Sequence, residues 1–151
     1  MDASLKLINL RKSLVKFFKD SLITIEGLSV VFDEWIPEFV ETDTSNDAWV
    51  SINFARPNFG RVSTIDVVIF IRTRKDLEGW DNNRLYDKVM NYLVSSDSDR
   101  KVVTLYNTEV TPWVAIGGVS FYLRSGDMGE EEMDLTNISI INLQATWGAK
   151  L

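Results

Sequence analysis

The sequence predicts an α+β fold: a single domain over residues 1–151, with a mostly antiparallel sheet, two helices packed on one face and a long C-terminal β-hairpin. Three observations predict it. Residues 61–74 (RVSTIDVVIFIRTR) place Ile65, Val67, Ile69 and Ile71 on one side of an extended chain and Val68 and Phe70 on the other, with no Gly or Pro. Residues 48–56 (AWVSINFAR) alternate, with Val50, Ile52 and Phe54 against Trp49, Ser51 and Asn53. The Pro57-Asn58-Phe59-Gly60 connector has hairpin turn chemistry, and residues 80–93 then carry helical periodicity.

The remaining elements follow in order. Residues 3–22 read as a helix with Leu5, Ile8, Val15, Phe18 and Leu22 as its apolar stripe, broadened by Leu14. Gly27 marks a turn. Residues 28–32 (LSVVF) form a short strand, residues 35–40 an irregular or edge segment around Pro37, and residues 41–47 a polar loop. In the second helix Asp81 is the expected cap, with Trp80 and Leu85 as a hydrophobic staple. Leu85, Val89, Tyr92 and Leu93 make its stripe, and the polar residues 95–100 end it. Residues 101–106 form the next strand. Residues 113–124 form another, with Trp113, Ala115, Val119, Phe121 and Leu123 on one face and a bulge or bend at Gly117-Gly118. Residues 125–135 read as an acidic loop, residues 136–147 as the last strand, and residues 148–151 as a short tail.

Composition narrows function. There is no His and no Cys, so the Ser-His-Asp triad, a cysteine nucleophile, thiolate zinc sites and disulfides are excluded. The acids concentrate in polar loops rather than in apolar surroundings that shift a pKa. Asp66, inside an apolar strand, reads as a sheet-face acid paired with Arg72, Arg74 or a neighbouring subunit. No phosphate-loop pattern occurs, and the five acids of residues 125–135 lack EF-hand spacing. No cofactor, metal or catalytic residue is therefore assigned, and the expectation is a non-enzymatic protein. The N-terminus is amphipathic and charged, so no secretory leader is expected, and no apolar run suits a bilayer.

Charge is distributed unevenly along a chain of net charge -6. Residues 1–20 carry Lys6, Arg11, Lys12, Lys16 and Lys19 against Asp2 and Asp20, while residues 21–47 hold seven acids and no Lys or Arg. Such polarity suits head-to-tail contacts between copies. The plainer reading is a solvated basic helix beside solvated acidic loops. The aromatic residues divide the same way: Trp49, Trp113 and Trp147 can anchor subunit contacts or fill the second face of the sheet. The candidate subunit or tube interface is thus Lys6, Arg11, Lys12, Lys16, Trp49, Trp113, Trp147, Glu130, Glu131 and Glu132.

The order of these stretches resembles the tail terminator proteins of long-tailed bacteriophages, also called neck or tail-to-head joining proteins. The resemblance runs through an LRKSLVKFFKD helix, a strand around LSVVF, the AWVSINFARP and VSTIDVVIFIRTR strands and a GWDNNRLYDKVMNYL helix, and covers nearly the whole chain. The acidic segments after the first helix and at residues 125–135 fall outside the shared pattern. The resemblance implies a virion structural protein made in the host cytoplasm and located at the head-proximal end of the tail. It implies a homo-oligomeric ring, typically hexameric, that caps the tail tube, stops its polymerisation and contacts head-completion or connector proteins. DNA would pass through the lumen without specific binding, and no membrane would be involved. Another tail subunit, of the tube or baseplate, is the alternative.

Overall fold

The computed structural model describes residues 2–33, 47–94, 101–131 and 136–148, with side chains outside residues 125–131 and 136. Six strands form one curled sheet: β1 (Val30–Phe32), β2 (Ala48–Phe54), β3 (Val62–Thr73), β4 (Lys101–Asn107), β5 (Val114–Glu131) and β6 (Thr136–Gly148). Their spatial order is β1-β2-β3-β6-β5-β4. β1 runs parallel to β2, and every other pair is antiparallel. Two helices complete the domain: α1 (Leu7–Phe18), which widens into a π-helical segment (Lys19–Ile25), and α2 (Trp80–Leu93). The predicted fold class holds, and β5 and β6 are adjacent as expected.

Alternation in the strands decides where the core sits. Ile65, Val67, Ile69 and Ile71 of β3 are buried beside Val50 and Ile52 of β2 and Ile141, Leu143 and Ala145 of β6. Both helices press onto that face, α1 through Leu10, Leu14 and Phe18, and α2 through Leu85, Val89 and Leu93. A four-residue step, Leu10-Leu14-Phe18-Leu22, carries the first helix into the core, and the wider π-helical turn keeps Leu22 on that side. Phe18 stacks on Phe121 of β5 at 6.1 Å. Ile8 and Val15, expected in the stripe, fall outside it. At about 100° per residue they lie roughly 100–120° around the helix from the middle of the Leu10-Leu14-Phe18 stripe.

The start of α2 differs from expectation. Gly79 occupies the cap position with φ +76°, a left-handed conformation that costs glycine little. Asp76 supplies the capping oxygens, accepting from the Asp81 and Asn82 N–H groups at 3.2 and 2.9 Å. Asp81 instead pairs with Arg84 at 3.1 Å, and Trp80 is exposed rather than stapled to Leu85. The carboxylate is held by looping back from three residues before the cap, which leaves Asp81 in the first turn, where an acid still favours the helix dipole.

Residues 125–131, expected as a loop, continue β5 as strand. Their backbone pairs with β6 from Ser125↔Asn142 to Glu131↔Thr136. The ladder needs only backbone groups, so the apolar partner strand carries an acidic, Gly-containing one. The expected irregularity near Gly117 is present: Leu105 faces Gly117 and Tyr106 faces Ala115, leaving Ile116 as the extra residue. The bulge breaks the predicted common face. Val119 and Phe121 are buried, whereas Trp113, Ala115 and Leu123 are exposed. Residues 34–46, 95–100 and 149–151, which hold the segment around Pro37, most of the 41–47 loop, the 95–100 loop and most of the tail, lie outside the described residues.

Candidate functional site

The outer side of α1 is built by a stripe at positions 8, 12, 15 and 19, spaced four, three and four residues apart so that all four fall on one helical face. Ile8 and Val15 supply apolar surface, and Lys12 and Lys19 supply charge. Trp113, just before β5, faces them together with Arg11, Lys16 and Asp20 across an open groove of ≈ 800 Å³. Ile8 is 45% exposed and Trp113 39%. Trp113 is steadied by the Tyr106 ring at 6.0 Å. β4 positions Tyr106, and its N–H donates to Ser13 Oγ of α1 at 2.9 Å, which ties the helix to the strand.

The cations of this helix are not equivalent. Lys6 pairs with Glu109 at 2.6 Å. Arg11 pairs with Asp33 and lies over the Phe54 ring, 5.5 Å from its centroid. Asp33 is thereby used twice, since it also accepts from the Phe54 N–H at 3.0 Å. Lys16 pairs with Asp20 one turn on, and that hydrogen bond and charge raise the Lys16 pKa against the opposing effect of burial. Lys12 and Lys19 have no acidic partner among the described residues. The groove therefore presents two ammonium groups without an acidic partner among the described residues, either side of Val15 and beside apolar surface.

The structure brings Arg11, Lys12, Lys16 and Trp113 together, as four of the ten candidate residues. Lys6 sits one turn before, held by Glu109. Trp147 is elsewhere: it is 3% exposed, packs edge-to-face with Phe59, and donates its indole N–H to the Ser4 carbonyl at 2.9 Å. It belongs to the core and fixes the start of the N-terminal helix beside the end of β6. Trp49 is 4% exposed on the sheet face away from the helices, beneath the Arg74 guanidinium at 4.7 Å. Its indole N–H has no hydrogen-bond partner among the described residues. Glu130 and Glu131 lie on the distal end of β5, at the far end of that strand from Trp113, and Glu132 falls outside the described residues.

The candidate set lacked four groove residues, Asp20 and the three stripe residues Ile8, Val15 and Lys19. The signal of the stripe was the 8-12-15-19 spacing, masked because apolar residues at 8 and 15 invite assignment to the core. Asp66 lies on the sheet face, as expected. It is exposed and meets the Gln144 amide at 3.5 Å, while Arg72 donates to Ser51 Oγ at 3.1 Å and Arg74 covers Trp49. The long-range pairing with Gln144 follows from register, which sets Asp66 opposite Gln144 on β6.

Among the described residues no group of three or more His, Cys, Asp or Glu is placed to hold a metal ion, and no helix is long and apolar enough to cross a membrane. No protein-family model matches the chain, and no curated protein matches it.

Proposed function

We propose that this chain is a structural subunit that assembles into a closed ring, and that the ring caps the head-proximal end of a bacteriophage tail tube and joins it to the head. The observation that carries the self-assembly is the placement of a groove and an acid-rich stretch of sequence at opposite ends of one strand. The groove of α1 and Trp113 lies at the start of β5, and the acidic positions Asp127, Glu130 and Glu131 fall at the other end of the same strand. Surfaces that differ in kind make heterologous contacts, and such contacts give a ring when the rotation closes. The resemblance in element order to tail terminators supplies the place in the virion. The absence of His and Cys from the sequence favours a structural over an enzymatic role.

Two further features support the reading. β4 pairs with β5 only as far as Phe121, so the distal part of β5 extends past its neighbour with no described strand on that edge. Strand edges of this kind invite a partner. On the side away from the helices, the sheet presents Thr64, Asp66 and Val68 beside Asn142, Gln144 and Thr146 at partial or full exposure. Such a face in an acidic chain suits a lumen through which DNA passes without adhering.

The test is the mass of the purified chain by light scattering, with negative-stain images, alone and with tail tubes. Closed rings, or monomers that form a ring on the tube end, are expected. Open tubes would replace this reading with that of a tube subunit. A strict monomer that leaves tube ends uncapped would overturn it.

A further inference from the structure

We infer that the groove on the outer face of α1 is a socket for the turn that leads into α2 of a second copy of this chain, with Leu77 and Trp80 as the plug. The inference deepens the proposed self-assembly and rests on that part of it, but not on the virion role. Leu77 is 94% exposed and Trp80 60%, on either side of Glu78-Gly79. The turn that carries them is held in place. The Gly79 N–H donates to the Asp76 carbonyl at 3.1 Å. The Asp76 carboxylate accepts from the Thr73 hydroxyl at 2.9 Å and from the N–H groups of Asp81 and Asn82. A fixed turn that presents a leucine and a tryptophan loses little freedom on docking, and a tryptophan is a common anchor of such contacts.

The groove matches the turn in apolar surface and in charge. Ile8, Val15 and Trp113 supply apolar surface for Leu77 and Trp80. Around the turn, Lys75 pairs with Asp47 and Arg84 with Asp81. Glu78, which accepts from the Trp80 indole N–H, has no cationic partner among the described residues. Lys12 and Lys19 of the groove have no acidic one, so the charges left over on the two surfaces are opposite.

Position makes the contact intermolecular. The start of α2 lies level with Asn137, whose carbonyl accepts from the Asn82 amide, and Asn137 faces Glu130 on β5. Trp113 adjoins Val114, at the other end of that strand. At about 3.3 Å per residue, positions 114 and 130 lie roughly 50 Å apart along β5. Each copy therefore offers one socket and one plug at opposite ends, the arrangement that propagates head to tail and gives a ring when the rotation closes.

Two double variants of the full chain test this. Leu77→Ser/Trp80→Ser removes the plug, and Ile8→Ser/Val15→Ser removes the apolar surface of the socket. Each alone is expected to self-associate at least about tenfold more weakly than wild type by sedimentation velocity, with an unchanged circular dichroism spectrum. An equimolar mixture is expected to stop at a one-to-one dimer, because only one intact plug and one intact socket meet between the two variants. The chain has no native Cys, so a second measurement is free of background and applies even if a serine variant misfolds. Leu77→Cys copies mixed with Lys12→Cys copies and treated with a short bismaleimide should give a covalent dimer that neither gives alone, on tail tubes where the wild type assembles only there. Rings that form undisturbed in both serine variants, a mixture that stays monomeric or grows past the dimer, or no dimer from the mixed cysteine variants would overturn the socket and leave the ring standing. Open chains that both serine variants abolish would keep the socket and overturn the ring. A wild type that stays monomeric with and without tubes would overturn both.

Discussion

The Asn82 side-chain amide, in the first turn of α2, donates to the Asn137 carbonyl at 2.9 Å, across 55 residues of sequence. The same amide reaches the Ile71 carbonyl at 3.1 Å, and its oxygen accepts from the Ser139 hydroxyl. One buried polar side chain thus clamps α2 to the two central strands. Asn82→Leu keeps the branched shape but leaves two carbonyls and the Thr73 and Ser139 hydroxyls without that partner. The expected loss is about 2–4 kcal/mol in urea unfolding. A loss under about 1 kcal/mol would mean that water takes the place of the amide.

Asp76 sits at the same junction and gives it a pH dependence. Burial pushes its carboxyl up, but the N–H groups of Asn82 and Asp81 and the hydroxyl of Thr73 outweigh that, so its pKa falls below the ordinary 3.8. A carboxylate with a depressed folded pKa contributes stability that is present above the unfolded value and is lost as pH falls through the folded one. Asp76→Asn should therefore be less stable than wild type near neutrality, with the gap closing below about pH 3.8. Asp76→Ala should cost about 1–2 kcal/mol at neutral pH through loss of the cap. Thermal melts of the three proteins from pH 3 to 7 read both effects, and parallel acid limbs would assign the acid transition to other groups.

Gly118 marks a close approach in the β4–β5 pair. A Cβ added there would lie 2.8 Å from Val102 Cγ1. A β-branched neighbour has few rotamers with which to yield. Gly118→Ala should destabilise by about 1–3 kcal/mol, as overpacking does. Val102 is itself exposed, so Val102→Ala should cost little alone and should recover most of the loss in the double variant. Additive effects in that cycle would place the strain in the backbone instead.

These three sites show what was legible in the chain. β2, β3 and α2 were readable because their apolar residues recur at two or 3.6 residues and both faces of the pattern agree. The distal part of β5 was not, since Ser125, Gly126, Asp127 and Gly129 carry turn chemistry, and only the partner strand reveals the ladder. The Asp76 cap was hidden by Asp81, which stands nearer the helix start and has the right chemistry. The groove was half readable. Arg11, Lys12 and Lys16 announce a basic face, but nothing local connects them with Trp113, which tertiary folding delivers from roughly a hundred residues away.

Ile8 and Leu10 make the last prediction, because they are two positions apart on one helix and have opposite fates. Leu10 is fully buried between α1 and the sheet, whereas Ile8 lies open on the groove. Leu10→Ala removes buried volume and should cost about 2–5 kcal/mol, with the spread set by how far the cavity collapses. Ile8→Ser with Val15→Ser changes a solvent-facing surface and should fall within about 1 kcal/mol of wild-type stability. The two variants separate folding from association. The serine pair should melt near wild type and yet self-associate more weakly in sedimentation velocity, since its apolar floor is gone. Leu10→Ala should melt early and, at temperatures where it remains folded, associate as wild type does. Were the serine pair to melt as early as Leu10→Ala, the outward stripe would belong to the core, and the groove would lose its floor as a contact surface.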